Sequence, residues 1–147
     1  MSDLSSFAQF VPHDHGLVVV STSRADGTIQ STVVNAGVLD HPVTGQPVVA
    51  FVAAGQSRRL DNLRARPRAT VVLRAGWQWA GVEGPIELAG PDDDLDGVDG
   101  SGLPALLRAI FVAAGGTHDD WDEYDRTMAA ERRVAVFVSP ERTYGNS

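Results

Sequence analysis

The chain has 147 residues, of which 43% are hydrophobic and 21% charged, and its formal net charge is −7 at pH 7. This length and balance are typical of one globular domain, residues 1–147, rather than of a disordered chain or a membrane protein. The absence of cysteine excludes disulfides, thiolate metal sites and a cysteine nucleophile, and the absence of lysine among the 12 basic residues excludes Schiff-base and P-loop chemistry.

Runs of β-branched residues separated by turn residues predict an antiparallel meander in the first half of the chain. We predict strands at residues 17–23, 28–38 and 47–54, joined by turns at Asp26-Gly27 and at residues 40–45. A short helix at residues 57–66 precedes two further strands at residues 68–74 and 77–88.

The second half of the chain begins with an acidic loop at residues 90–100. Its aspartates are spaced somewhat like calcium ligands, but the terminal glutamate and regular offsets of an EF-hand are missing, which favours a solvated linker. Helices are predicted at residues 103–114 and after residues 117–120, and a last strand at residues 133–138, ended by Pro140. These elements predict a mainly β or α+β fold, a six-stranded antiparallel barrel with short flanking helices.

A basic stretch interrupts this acidic protein between residues 55 and 74. It contains one acid, Asp61, and the following arginines: Arg58, Arg59, Arg64, Arg66, Arg68 and Arg74. The net negative charge argues against binding to nucleic acid, because the surrounding field would repel a long polyanion. A local reversal of charge therefore indicates a small anionic ligand.

The start of the first predicted helix conflicts with the helix dipole. Ser57 is a good N-cap, but Arg58 and Arg59 then occupy the first turn, where each cation costs about 0.3–1 kcal/mol. A bound phosphate or carboxylate would resolve the conflict, since free amides, the Ser57 hydroxyl and two guanidinium groups would converge on it, with Asn62 one turn further on. Alternatively, the two arginines extend into water or pair with acids elsewhere.

Other catalytic patterns are weak or missing. His13-Asp14-His15 resembles a short metal cluster, but no third ligand lies nearby in the sequence, so we predict no metal site. No serine hydrolase or zinc protease motif occurs in the chain. No apolar run approaches the ~20 residues of a membrane span, and we expect a cytoplasmic protein.

The order of several short motifs along the chain resembles that of a known family. They are Arg24-x-Asp26-Gly27, Arg59-x-x-Asn62-Leu63, Arg64-Ala65-Arg66-Pro67, Trp77-x-Trp79 before Val82-Glu83-Gly84, Glu131-Arg132-Arg133-Val134 and Tyr144-Gly145. With this order and spacing the chain resembles, from about Leu17 to Gly145, the B group of the actinobacterial flavin/deazaflavin oxidoreductases. These relatives of pyridoxamine 5′-phosphate oxidase use coenzyme F420.

The resemblance implies a split β-barrel homodimer with two cofactor sites at the subunit interface. By position, Arg59 matches the family's phosphate ligand, which is usually a lysine, and Asn62 matches its partner; Ser57 and Arg58 flank them. Arginine in place of lysine keeps the charge and changes its geometry to a planar fork. The segment along the deazaflavin ring corresponds to Val33, Val34 and Asn35, and the positions that complete the pocket correspond to Trp77, Trp79 and Arg133.

Each of these positions also has a plain structural interpretation. Trp77 and Trp79, two residues apart on a strand, point to one face and would also serve core or dimer packing. Val33 and Val34 would belong to the barrel in any interpretation. Asn35 differs, because a polar amide in an apolar strand needs hydrogen-bond partners, which a flavin-like ring could supply.

The function implied by the resemblance is an F420H2-dependent reductase that transfers a hydride to an activated double bond of a small organic acceptor. The alternatives are an FMN-dependent oxidoreductase of the pyridoxamine 5′-phosphate oxidase type and a non-catalytic carrier of F420 or haem. No catalytic residue is assigned, since the proton that completes the reduction would come from solvent or from a side chain such as Tyr124 or Tyr144.

Overall fold

Antiparallel strands form the framework of the chain, which the computed structural model describes from residue 3 to residue 146. The strands are β1 (Leu17–Ser23), β2 (Ile29–Asp40), β3 (Pro47–Ala53), β4 (Arg68–Ala75), β5 (Gln78–Ala89), β6 (Val134–Val138) and β7 (Arg142–Gly145). The helices are α1 (Ser5–Phe10), α2 (Arg58–Ala65), α3 (Leu103–Ala113) and α4 (Trp121–Ala130), with short 3₁₀ turns at Val11–Asp14 and Gly100–Gly102.

Six of the strands close into a barrel. They follow the order β4-β1-β2-β3-β6-β5, and β5 returns to pair with β4, so that every neighbouring pair is antiparallel. The predicted six-stranded antiparallel barrel with short flanking helices is confirmed. The predicted element boundaries differ from the observed ones by one or two residues; Arg133, for example, precedes β6 rather than belonging to it.

Two long strands change partners along their length. β2 pairs with β1 as far as Asn35 and with β3 from Ala36 onward. β5 pairs with β7 through residues 80–83 and with β6 through residues 86–89. β2 and β3 are paired only from Ala36 to Asp40 of β2. Before Ala36, where β2 pairs with β1 instead, β2 and β3 diverge and the barrel opens. This opening, between residues 30–35 of β2 and the end of β3, is called the fork below.

The strand β7 and the helix α1 were not predicted. β7 follows β6 and pairs with the same strand, β5, after a shift in register of one residue. The shift is a β-bulge that contains Pro140. Backbone amides on both sides of the bulge still reach β5, because Ser139 N donates to Pro85 O and Glu141 N donates to Glu83 O, each at 3.0 Å.

The hydrophobic residues form two cores on the two sides of the sheet. The larger core fills the barrel, and α1 contributes Phe7 and Phe10 to it. The smaller core lies outside the barrel, where α3 and α4 cover β3 and β6 with side chains such as Leu107 and Ile110. Among residues 3–146, no helix covers the outer face of β1, β4 and the first halves of β2 and β5, and large apolar side chains are exposed there: Leu17, Val19, Val33, Trp77 and Trp79.

The acidic loop is held by arginines of neighbouring elements. Arg64 of α2 makes two hydrogen bonds to the Asp93 carboxylate, at 3.0 Å and 2.6 Å. Arg132 donates to Asp92 at 2.7 Å, and this hydrogen bond lowers the pKa of Asp92. These acids therefore serve as local anchors of the linker.

Gly84 lies where the bulge presses closest to β5. A Cβ atom at this position would lie 1.9 Å from the backbone oxygen of Ser139. We expect Gly84→Ala to destabilise the fold by about 3 kcal/mol, the upper range of overpacking costs, and to lower the thermal midpoint by roughly 10 °C in differential scanning calorimetry. Gly100→Ala is the matched control, because a Cβ atom there meets nothing within 4 Å. Equal midpoints for the two variants would contradict this interpretation of the bulge.

Candidate functional site

The guanidinium group of Arg59 lies in the fork. Arg59 extends from the first turn of α2, and its Nη1 donates a 2.8 Å hydrogen bond to Thr32 Oγ1 on β2. Its Cζ lies 6.0 Å from the centre of the Phe51 ring on β3. The side chain therefore bridges the two strands where they diverge, and its Nε is buried with no hydrogen-bond partner among residues 3–146.

No carboxylate neutralises this half-buried cation within the described residues. Burial lowers the pKa of Arg59, and the nearby positive charge of Arg133 lowers it further. Arg133 itself pairs with Glu131, at 2.8 Å between Nε and Oε1. Because an uncompensated buried charge is costly, the free fold is electrostatically incomplete at this point, and an anion bound there would restore the balance.

The N-terminus of α2 adds backbone donors to the same region. Ser57 is the N-cap, as predicted, and its Oγ accepts a 3.3 Å hydrogen bond from Leu60 N. This cap satisfies one amide of the first turn and leaves those of Arg58 and Arg59 as open donors. Arg58 is exposed and makes no ion pair within residues 3–146. We refer to Arg58, Arg59 and Arg133 as the arginine cluster.

The edge of β2 that borders the fork also offers backbone groups. Residues 29–35 of β2 pair with β1 on one side and have no strand on the other. Ala36 N donates to Gly16 O, and Thr28 O accepts from Arg24 N, both at 2.8 Å, so the even-numbered residues direct their backbone groups toward β1. Since backbone direction alternates along a strand, the N–H and C=O groups of Ser31 and Val33 point into the fork.

Asn62, predicted to contact the cofactor, is engaged within the chain. Its Nδ2 donates to Thr22 Oγ1 and to Gln30 Oε1, each at 3.0 Å. Arg66, four residues further on, donates its Nε to Ser23 O at 2.8 Å. These contacts attach α2 to the ends of β1 and β2 and so hold Arg59 in the fork.

The other predicted residues gather on the uncovered outer face of the sheet. Here a cleft of about 410 Å³, called the tryptophan cleft below, is lined mainly by apolar side chains. Its walls include Leu17, Val19, Val33, Val72, Trp77 and Trp79, with Asp14 and Arg74 as charged members. Val33 is 63% exposed and Trp77 is 95% exposed. Exposed apolar surface of this kind is typical of binding faces, because single chains rarely expose large contiguous apolar patches.

The two residues that follow Val33 on β2 do not line the tryptophan cleft. Val34 points to the opposite side of β2 and packs against the barrel core. Asn35 lies on the exposed side, where its Nδ2 donates a 2.7 Å hydrogen bond to His15 O. The amide nitrogen of Asn35 therefore has its hydrogen-bond partner, His15 O, within the chain.

Seven of the ten predicted residues thus form two groups, joined through β2, and Val34, Asn35 and Asn62 belong to neither. One group is the cationic half of the candidate site, the arginine cluster with the N-cap Ser57. The other group, Val33, Trp77 and Trp79, lines the tryptophan cleft. Thr32 contacts Arg59 and the next residue, Val33, lines the cleft. A ligand with a negatively charged tail and a flat ring would cross the open edge of β2 to reach both halves.

The two tyrosines considered as proton sources lie in different surroundings. Tyr124 is buried beneath α3, its hydroxyl donates a 3.2 Å hydrogen bond to Leu107 O, and burial raises its pKa. Tyr144 is partly exposed on the outer face, with its ring 6.1 Å from that of Trp79 in an edge-to-face contact, and burial raises its pKa also. Only Tyr144 is therefore near the tryptophan cleft.

Comparison with solved structures identifies the architecture. A conserved hypothetical protein, Rv2991 of Mycobacterium tuberculosis, matches with a TM-score of 0.68 at 19% identity over 99% of this chain and 84% of that one. A pyridoxamine 5′-phosphate oxidase-related, FMN-binding protein of Nostoc punctiforme matches with a TM-score of 0.68 at 12% identity, with the same coverage. The chain has the split β-barrel fold. An F420 reductase matches with a TM-score of 0.59 at 17% identity, over 87% of this chain and 88% of that one.

Three further findings bear on function. No family model matches the sequence of this split barrel. Among residues 3–146, no helix is both long and apolar enough to cross a bilayer. Within the same residues, no three metal-ligating side chains come together.

Proposed function

We propose that this split barrel binds coenzyme F420 and acts as an F420H2-dependent reductase of the flavin/deazaflavin oxidoreductase B group. The observation that carries the proposal is Arg59, a half-buried guanidinium group in the fork with no acidic partner and with its buried Nε unsatisfied among the described residues. The sequence resemblance and the fold shared with an F420 reductase and an FMN-binding protein support a flavin-type cofactor.

The residues of the fork fit the anionic part of such a cofactor. Arg59 offers charge-assisted hydrogen bonds to a phosphate, and the open amides at the N-terminus of α2 add neutral donors. Exposed Arg58, one residue away, is placed to contact further negative charge along an extended tail. This surplus of positive charge suits F420, whose tail carries several negative groups, better than the single phosphate of FMN.

The tryptophan cleft fits the ring. Val33 and the two tryptophans offer a flat apolar surface, and the backbone groups of Ser31 and Val33 in the fork can pair with polar atoms at the edge of the ring. When bound in reduced form, the deazaflavin supplies the hydride for an activated double bond of a small organic acceptor. The protein contributes orientation and exclusion of water.

We propose further that a second copy of the chain covers the outer face and completes the site. The helices α3 and α4 cover β3 and β6, but Trp77 and its neighbours on the opposite side of the barrel lack any cover within residues 3–146. Trp77 is too exposed to contribute to the fold of a monomer, and tryptophan is enriched at the centres of protein interfaces. A homodimer would enclose the ring between two such faces.

The deciding measurement is a fluorescence titration of the purified protein, free of cofactor, with F420 and in parallel with FMN. We expect a dissociation constant for F420 in the micromolar range or below, and weaker binding of FMN. The reverse preference would support the FMN-dependent oxidoreductase, which should also purify yellow. Tight binding of F420 without turnover of quinone or enone acceptors would support a carrier, and binding of neither cofactor would contradict the proposal.

A further inference from the structure

The hairpin that presents Trp77 is held by side chains as well as by strand pairing. β4 and β5 are joined by the two residues Gly76 and Trp77, between the Ala75–Gln78 pair. Gly76 has a φ of 64°, which a type II′ turn requires at its first position and which glycine adopts without strain. Arg74 Nη1 donates a 3.2 Å hydrogen bond to Gly76 O across this turn.

A second and stronger support comes from Asn146, which follows β7. Its Nδ2 donates a 2.7 Å hydrogen bond to Trp77 O, and its Oδ1 accepts a 2.8 Å hydrogen bond from Trp79 N. The Asn146 carboxamide therefore bonds to the backbone of the two residues that flank Gln78, as a peptide group of a neighbouring strand would. The side chain extends the pairing of β7 with β5 beyond Gly145, the last residue of β7.

The Asn146 hydrogen bonds fix the backbone of a residue, Trp77, whose side chain lies almost fully in solvent. The Trp77 side chain is 95% exposed, so its packing within the chain does not explain why its backbone is fixed. A rigid backbone beneath an exposed aromatic ring reduces the entropy lost when a flat ligand stacks there. Trp79, whose amide the same carboxamide holds, lines the same cleft.

We propose that Asn146 is a positioning residue that fixes the Trp77 turn against the cofactor ring in the tryptophan cleft. The inference rests on the proposed function, because it takes a flat ring as the occupant of that cleft. Asn146 acts through the backbone of Trp77 and Trp79 and has no contact of its own with the ring. Its loss should therefore loosen the turn and weaken binding of the ring, while the arginine cluster is left intact.

The anisotropy test uses the whole chain with Trp79→Phe and Trp121→Phe, which leaves Trp77 as the single tryptophan of three. The affinity for F420 is measured in the chain with all three tryptophans, because Trp79 lines the cleft. Time-resolved fluorescence anisotropy then reports the motion of Trp77, at one protein concentration and with the oligomeric state checked by sedimentation. In Asn146→Ala we expect the amplitude of the fast component to rise at least about twofold and the dissociation constant for F420 to rise about tenfold. Asn146→Asp, which keeps the acceptor for Trp79 N but loses the donor to Trp77 O, should fall between.

Arg142→Met is the matched control on β7, since it breaks the 3.2 Å contact of Arg142 with Glu83 but touches no atom of the turn. It should leave both the anisotropy and the affinity unchanged. Unchanged anisotropy and affinity in Asn146→Ala, when the starting protein binds F420, would overturn the positioning role alone. If the chain with all three tryptophans binds no F420, the proposed function fails and this role with it, whatever the anisotropy shows. Equal effects of Asn146→Ala and Arg142→Met would show a general loosening of β7 and would also overturn it.

Discussion

Replacing Arg59 by methionine should weaken binding of F420 by about 100-fold while changing the thermal midpoint by no more than about 2 °C. Two charge-assisted hydrogen bonds to a phosphate, at about 1.5 kcal/mol each, correspond to roughly two decades in the dissociation constant. Stability should change little, because Arg59 is a half-buried cation with no acidic partner in residues 3–146 and its one hydrogen bond goes to Thr32. Methionine retains the apolar contact of the side chain with Phe51.

Fluorescence titration with F420 and differential scanning calorimetry measure the two quantities on the same samples. Arg126→Met is the matched control, since it removes the same charge from an exposed position on α4, outside the arginine cluster. Arg59→Lys should retain part of the affinity, because the charge remains although the planar fork is lost. Comparable losses of stability and affinity in Arg59→Met would show that Arg59 serves the fold, and would contradict its role as an anion ligand.

The local part of the site follows from the sequence. Ser57 as an N-cap and the arginines of the first turn lie within three residues, so their conflict with the helix dipole is visible without a structure. What Arg59 contacts is not visible, because Thr32 is 27 residues away and reaches it only through the partner exchange of β2. The exchange depends on the register of three strands, which hydrophobic alternation constrains but does not determine.

The opposite orientations of Val33 and Val34 could have been predicted. The period of two residues in a strand places neighbouring side chains on opposite faces, so only one of them can lie along a ring. The outward face proves to be that of Val33, because α2 and the core occupy the other side. Asn62 illustrates the converse, since its type and spacing fit a ligand contact but its amide joins α2 to β1 and β2.

The unpredicted elements are short. β7 has four residues, Arg-Thr-Tyr-Gly, and is held by backbone pairing with β5, so neither alternation nor burial signals it. Asn146 is likewise invisible in the sequence, because its role depends on β7. α1 differs, because Leu4, Phe7, Phe10 and Val11 have the spacing of one helical face and all enter the barrel core, so this helix could have been predicted.

Trp77→Ser should reduce the association of two copies by at least about 30-fold, which corresponds to the ~2 kcal/mol loss typical of a central interface residue. The free energy of unfolding of the separated chains should not change measurably, because the Trp77 side chain is 95% exposed. Sedimentation equilibrium over a range of concentrations measures the association, and thermal unfolding at the lowest concentration measures the stability.

Val112→Ser is the matched control, because Val112 is an apolar side chain, 55% exposed, on α3, away from the uncovered sheet face. It should leave the association unchanged. A starting protein that remains monomeric at every concentration, or a Trp77→Ser variant that associates normally, would contradict the proposed interface. Either result would leave stacking of a ligand on Trp77 as the remaining explanation for its exposure. Trp77→Ser would then have to weaken the binding of F420 to the monomer.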